Sequence, residues 1–328
     1  MLSPLIESIE LTEFRGIRGC RNPIKLSRFS VLIGRNNSGK TAILEALSML
    51  LVDSISTKRF PPVEWTIANY MNYLHGGVDS LIYCYVGKAV INYVIHGERM
   101  TWEYKGGGSA SIASLKEGPL SRDQLAKLLG FKYYDQALTS IFLLPNDTRF
   151  LRELTHALSS KKEWVKVEKS GANTSIVELI DKVVHDSFTE ATVRFNTIVL
   201  RKELPDGHVI YVNASDLGDG VERVLIYGLW LETYRPKVVL WDDIEASAHP
   251  GLIESVLEWL ASKDWQVVLT THSYDVLERL IAVEPEDASI IALKKDSSDI
   301  LESKVLSLDE LSDMLESHMD IRRVVDIL

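Results

Sequence analysis

The chain has 328 residues, 46% of them apolar and 25% charged, which is ordinary for a folded protein and argues against wholesale disorder. Its formal net charge of −10 does not draw in a nucleic-acid backbone, so any contact with DNA needs a local basic patch. Cys20 and Cys84 lie too far apart to read as a disulfide framework or metal motif, no run of ~18 apolar residues offers a membrane span, and the acid-containing start MLSPLIESIE lacks a signal peptide's basic region; the expectation is a soluble cytoplasmic protein with reduced thiols.

In chain order, residues 5–14 alternate apolar and polar and predict a half-buried strand; Phe29–Ile33 is a short apolar run of strand type. GRNNSGKT follows, and from Thr41 to Leu51 apolar residues crowd every face of a predicted buried helix. Residues 53–135 read as an inserted β-rich arm, in which LIYCYVG, AVINYVIHG and RMTWEYKGGG form three β-prone runs between glycine-containing turns. A short helix is expected at Asp123–Leu129 and a strand at Ser140–Leu144. Helical pattern from Thr148 to about Ser187, interrupted at Lys169–Thr174, gives a helical lobe over 136–189. ATVRFNTIVLRKEL and HVIYVNAS flank Pro205-Asp206-Gly207 as a hairpin. Beyond it come a helix (Val221–Thr233), a strand (Lys237–Trp241), a helix (Leu252–Ser262), a strand (Gln266–Thr270) and a helix (Tyr274–Ile281). Strand and helix alternate there, which predicts an α/β fold with a mostly parallel sheet, its core drawn from residues 1–52 and 190–328.

Gly34-Arg35-Asn36-Asn37-Ser38-Gly39-Lys40-Thr41 fits G-x-x-x-x-G-K-[ST] at every fixed position, between a predicted strand and a predicted helix. The chemistry explains the pattern. Glycines let backbone N–H groups curl round a phosphate while the helix points its positive end at the same anion. Lys40 then reaches the β- and γ-phosphates of ATP, and the Thr41 hydroxyl is a ligand for Mg²⁺. Such a loop needs a carboxylate at the end of a neighbouring strand, and Lys237–Asp243 (KVVLWDD) supplies an apolar strand ending in two acids. Asp242 is the expected Mg²⁺ partner; Asp243 or Glu245 would polarise the attacking water.

With FRGI at Phe14–Ile17 and VLIGRNNSGKTAILEAL after it, the chain resembles the ABC-type ATPase heads of SMC proteins, RecF-type recombination proteins and OLD-type nucleases. The resemblance implies a signature motif at LGDGVERV (Leu217–Val224), with Gly218, Asp219 and Gly220 at the nucleotide of a second subunit. It likens LWDDIEASAHP to a Walker B and D-loop, and His272 in LTTHS to the switch histidine that senses the γ-phosphate. Asn146 or Asp147, beside Arg149, falls where the group carries its Q-loop; His249 reads as a local hydrogen-bonding residue before Pro250. Two departures are visible. Gly218 stands where the signature usually has serine, and Asp243 replaces the usual glutamate, a side chain one methylene shorter that implies slow turnover. The long coiled coil of SMC heads and the Asp-x-Asp pair of the nuclease domain are not found in the sequence.

The resemblance thus implies an ATP-dependent head-to-tail homodimer acting on DNA or with an effector protein, in repair or phage defence. A non-hydrolysing switch is the alternative, and a nucleotide kinase leaves the signature and switch motifs unexplained. Candidate DNA patches are Arg15, Arg18 and Arg21, and Lys161, Lys162, Lys166 and Lys169.

Overall fold

Phe29–Gly34 is buried at all its positions, which a strand can be only where both faces of its sheet are covered. In the computed structural model, which describes residues 3–53, 63, 65–114, 116–184 and 186–317, this strand lies among five parallel ones. Their order is Ile141–Leu144, Val238–Trp241, Gln266–Thr270, Phe29–Gly34 and Ala288–Lys295. Val31 stands opposite Leu269 on one side and Ile290 on the other, so the strand that ends in the glycine-rich loop is held from both edges.

The sheet continues past Ala288–Lys295 in a different style. Ile300–Leu306 returns antiparallel, and its start pairs with Ile17–Cys20, which folds back on Ile6–Phe14. The antiparallel insertion expected within 53–135 then adds Ala89–Ile95, Glu98–Tyr104, Ala110–Ser114 and Gly118–Pro119. It is joined edge to edge with the core, Ile6 facing Ile95 and Thr12 facing Val90, so it extends the core sheet. Ala89–Ile95 alternates strictly between buried and half-buried, with Ala89, Ile91, Tyr93 and Ile95 inward. That inner face braces the helix after the glycine-rich loop (Lys40–Ser48): Tyr93 Oη donates to Ala46 O at 2.6 Å, and Trp102 Nε1 to Val52 O at 2.8 Å. Burying each such aromatic contributes on the order of 2–3 kcal/mol once its polar atom is paired.

The helical segment forms three helices, Thr148–Leu158, Lys161–Ser170 and Ala172–Val184, the first two capped by Asp147 and Ser160. They pack against the long helix Asp219–Tyr234, while the strand before them, Ile141–Leu144, is fully buried in the core sheet. Two local expectations are corrected, and one pair of strands is new. LIYCYVG is not a strand: it starts at the end of one short 3₁₀ turn, Val78–Leu81, and forms another, Tyr83–Tyr85, because Cys84 and Tyr85 in succession take left-handed backbone, which an extended strand does not sustain. ATVRFNTIVLRKEL is two strands, Phe188–Arg194 and Thr197–Glu203, with Phe195 and Asn196 at positive φ between them, so with Val209–Asn213 it makes a separate three-stranded sheet. The pair Ala288–Lys295 and Ile300–Leu306, at the heart of the sheet, was not anticipated from the sequence. Among the described residues no helix is long and apolar enough to cross a membrane.

Candidate active site

The glycine-rich loop leaves its strand at Gly34 and enters Lys40–Ser48, whose first N–H groups have no partner within the helix and face the loop. Lys40 is buried, and its ammonium folds back onto the loop, donating to Gly34 O at 2.9 Å and Arg35 O at 3.2 Å. Burial pushes the Lys40 pKa down, and the carboxylates of Asp243, Asp242 and Glu245 oppose that shift. Thr41 Oγ1 donates to Asp242, 3.1 and 3.3 Å from its two carboxylate oxygens. Asp242 also accepts from Thr270 Oγ1 at 2.7 Å, and the same threonine oxygen accepts from the Asp243 N–H at 2.8 Å. Loop, Asp242 strand and Thr270 strand meet here because Val238–Trp241 and Gln266–Thr270 run parallel and end together.

Asp242 carries the electrostatic signature of the site. Burial raises its pKa from 3.8 to about 6; Asp243 and Glu45 push the same way, against the hydroxyls of Thr270 and Thr41. A buried carboxylate beside a threonine hydroxyl is a donor set that suits a hard divalent ion. Ser38 Oγ, buried in the loop, has no hydrogen-bond partner among the described residues, as expected of a group shaped to meet a ligand. A cleft of about 320 Å³ opens over these atoms, lined by the loop from Asn36 to Ala42 together with Arg15, Asp243, His272 and Lys295.

The remaining predicted residues divide. Asp243 sits at φ 46°, one carboxylate oxygen accepting from Asn146 Nδ2 at 3.2 Å and the other 3.9 Å from His272 Nε2. Glu245 instead accepts the His272 backbone N–H on Oε1 at 2.6 Å. His249 caps the next helix by accepting from Gly251 N at 3.2 Å. Gly218 and Gly220 lie apart from the cleft, at the start of Asp219–Tyr234. Gly218 takes φ 93°, ψ 151°, a region almost closed to other residues, and a Cβ there would meet nothing. The missing serine therefore has a physical reason, since this backbone disfavours any side chain. Gly220 is glycine for another reason: a Cβ would come within 2.2 Å of Ser247 O, so the helix start lies directly on the loop after Asp243.

Sequence reasoning missed several neighbours. Arg15 is not a free surface charge: it pairs with the fully buried Glu45 at 3.0 Å, and His75 holds the same carboxylate at 2.6 Å. Lys295 donates to Gly16 O and pairs with Asp299, both at 2.8 Å. Arg21 is engaged by Glu302 at 2.6 Å and Lys166 by Glu163 at 2.9 Å, whereas Arg18, Lys161, Lys162 and Lys169 are exposed. The FRGI stretch was a signal for Arg15; nothing local announces the others.

A family model described as "AAA ATPase domain" matches residues 5–92, and an AAA-domain family whose description names the AbiEii toxin and type IV toxin–antitoxin systems matches 142–278. No curated protein matches. Among solved structures, an Smc head bound to the C-terminal winged-helix domain of ScpA superposes with TM-score 0.65 at 15% identity, covering 94% of this chain and 100% of that one. An Smc head with an extended coiled coil from Pyrococcus furiosus gives 0.58 at 13%, covering 96% and 99%, and the SMC head from Thermotoga maritima 0.52 at 16%, covering 92% and 99%. At such identities the likeness is one of fold. The fold, with its glycine-rich loop, is that of P-loop nucleotide-binding domains. More narrowly, it is the ABC-type fold of SMC ATPase heads, and the longest described helix, Asp219–Tyr234, has 16 residues, so no coiled coil extends from the described part.

Proposed function

We propose that the chain binds ATP with magnesium at Gly34–Thr41, hydrolyses it slowly, and closes on it as a head-to-tail homodimer. The observation that carries the reading is the convergence of Lys40 and Thr41 with Asp242 and Asp243 at the ends of neighbouring strands. The loop N–H groups and Lys40 bind and orient the phosphates, and Thr41 and Asp242 are the residues that would hold Mg²⁺, whose charge offsets that of the β- and γ-oxygens. Asp243 orients a water and takes its proton as the oxygen attacks the γ-phosphorus and the bond to ADP breaks. His272, 3.9 Å from Asp243, stands ready to meet the γ-phosphate from the other side. Gly218–Gly220 would close the partner subunit's site with backbone N–H groups.

Asp243 is favoured over Glu245 as the base because Asp243 lines the cleft, whereas Glu245 does not and its Oε1 accepts from the His272 backbone, which makes it a support for the switch loop. Phosphate release and ATP affinity test this. Asp243→Asn should stop hydrolysis, keep ATP affinity and trap a dimer visible by light scattering, while Glu245→Gln should keep most turnover. The reverse pattern overturns the assignment.

A second reading has one observation behind it. Gly218 offers no hydroxyl to a partner's nucleotide, which suits an ATP-held switch with negligible turnover that recruits a separate effector. The Smc head relative bound to a winged-helix domain supports a protein partner of that kind. DNA contact rests on Lys161, Lys162 and Lys169 along one exposed helix face, and a role in repair or phage defence rests on analogy. Steady-state phosphate release, with and without duplex DNA, separates the two readings.

A further inference from the structure

Asp243 does not reach the helix Asp219–Tyr234, yet the two are joined. Asn146 bridges them: its Nδ2 donates to Asp243 Oδ2 at 3.2 Å, and its Oδ1 accepts from Arg223 Nη1 at 2.7 Å. Arg223 is 7% exposed, so its guanidinium lies largely out of water, which strengthens its charge-assisted bond to Asn146. One helical turn on, on the same face, Tyr227 Oη donates to the Pro145 carbonyl at 2.8 Å, so two consecutive turns of the helix grip the Pro145–Asn146 backbone and side chain. An amide held by a cation on its oxygen can present only its N–H₂ to the other side, and that is the side on which Asp243 lies.

The geometry points to Arg223 as a positioning residue for the hydrolytic base, acting through Asn146. This rests on the assignment of Asp243 above and deepens it. Arg223 fixes which way the Asn146 amide faces, Asn146 fixes one Asp243 oxygen by donating to it, and the other oxygen is left for water. The same helix begins at Gly218, and Gly220 lies against Ser247 O on the loop that leaves Asp243. In the proposed head-to-tail dimer, the helix start that would meet a second subunit's nucleotide thus belongs to the same helix that positions this chain's own base.

The experiment measures turnover, ATP affinity by calorimetry and melting temperature for four proteins: wild type, Arg223→Met, Asn146→Ala and the double variant. Asn146 is exposed, so its truncation leaves the core intact even where Arg223→Met weakens folding. Each single variant should lower turnover by about tenfold or more, the order expected for a misplaced base, with ATP affinity within about twofold of wild type. The double variant should be no slower than Asn146→Ala, since both act through one path. Wild-type turnover in either single variant, equal losses in affinity and turnover, or multiplied effects in the double variant would each overturn the inference. Asp243→Asn is the control: if it hydrolyses ATP as wild type does, the assignment of the base has failed and the inference with it; if it is inactive while Arg223→Met is not, only the inference fails.

Discussion

Asp242→Asn should make the nucleotide-free protein more stable at neutral pH. Asp242 is 8% exposed and its pKa rises from 3.8 to about 6, chiefly because burial penalises the charge. A carboxyl whose folded pKa lies above its unfolded value binds its proton more tightly when folded. Its contribution is therefore fully present below the unfolded pKa and lost as pH rises through about 6. A rise of that size corresponds to ~3 kcal/mol lost above that pH. Asparagine keeps the shape, still accepts from Thr270, and can donate to the Thr41 oxygen, so the charge is the main thing removed. Urea unfolding with chelator present should find the variant ~2–3 kcal/mol more stable at about pH 8, the gap falling to about half near pH 5. Magnesium with ATP should reverse the order, stabilising wild type far more than the variant, because ligand that binds only the folded state adds stability by mass action. A variant less stable than wild type near pH 8, or a gap that does not change with pH, would refute the view that burial penalises the Asp242 charge.

The other predictions concern binding, backbone and thiols. Lys40→Ala should abolish ATP binding by calorimetry, since it removes the ammonium that lies within the loop against the Gly34 and Arg35 carbonyls; wild-type affinity would remove the loop from the site. Gly220→Ala should destabilise by ~2 kcal/mol or more because its methyl meets the Ser247 carbonyl rather than a yielding side chain, and an unchanged melting temperature would contradict that packing. Gly218→Ser should cost about 1–3 kcal/mol through backbone strain alone, so restoring the usual signature serine should not come free of a drop in melting temperature. Of the two thiols, exposed Cys84 should react with a disulfide reagent at once and half-buried Cys20 should lag far behind, as desolvation raises the Cys20 pKa to about 11; equal rates would refute that shielding.

What could be read without the structure was local. Strand, glycine-rich loop and helix at 29–48 follow one another, and their pattern is a property of neighbouring residues: an apolar run, two glycines at fixed spacing, then Lys40, Thr41 and a helical face. The Asp242–Asp243 pair was legible for the same reason, sitting at the end of an apolar strand. Local signals also misled, as where the β-prone letters of LIYCYVG gave way to the left-handed backbone of Cys84 and Tyr85, and where the strand through Phe195 and Asn196 turned back on itself. Tertiary structure alone decided which partners those elements take. Sheet pairing of Ile6–Phe14 with Ala89–Ile95, the burial of Arg15 against Glu45 and His75, and the Arg223–Asn146–Asp243 chain each join residues tens of positions apart. Periodicity says that a face is buried but not against what; a hydrogen bond between Asn146 and Arg223 exists only because the strand before one and the helix bearing the other pack on the same core.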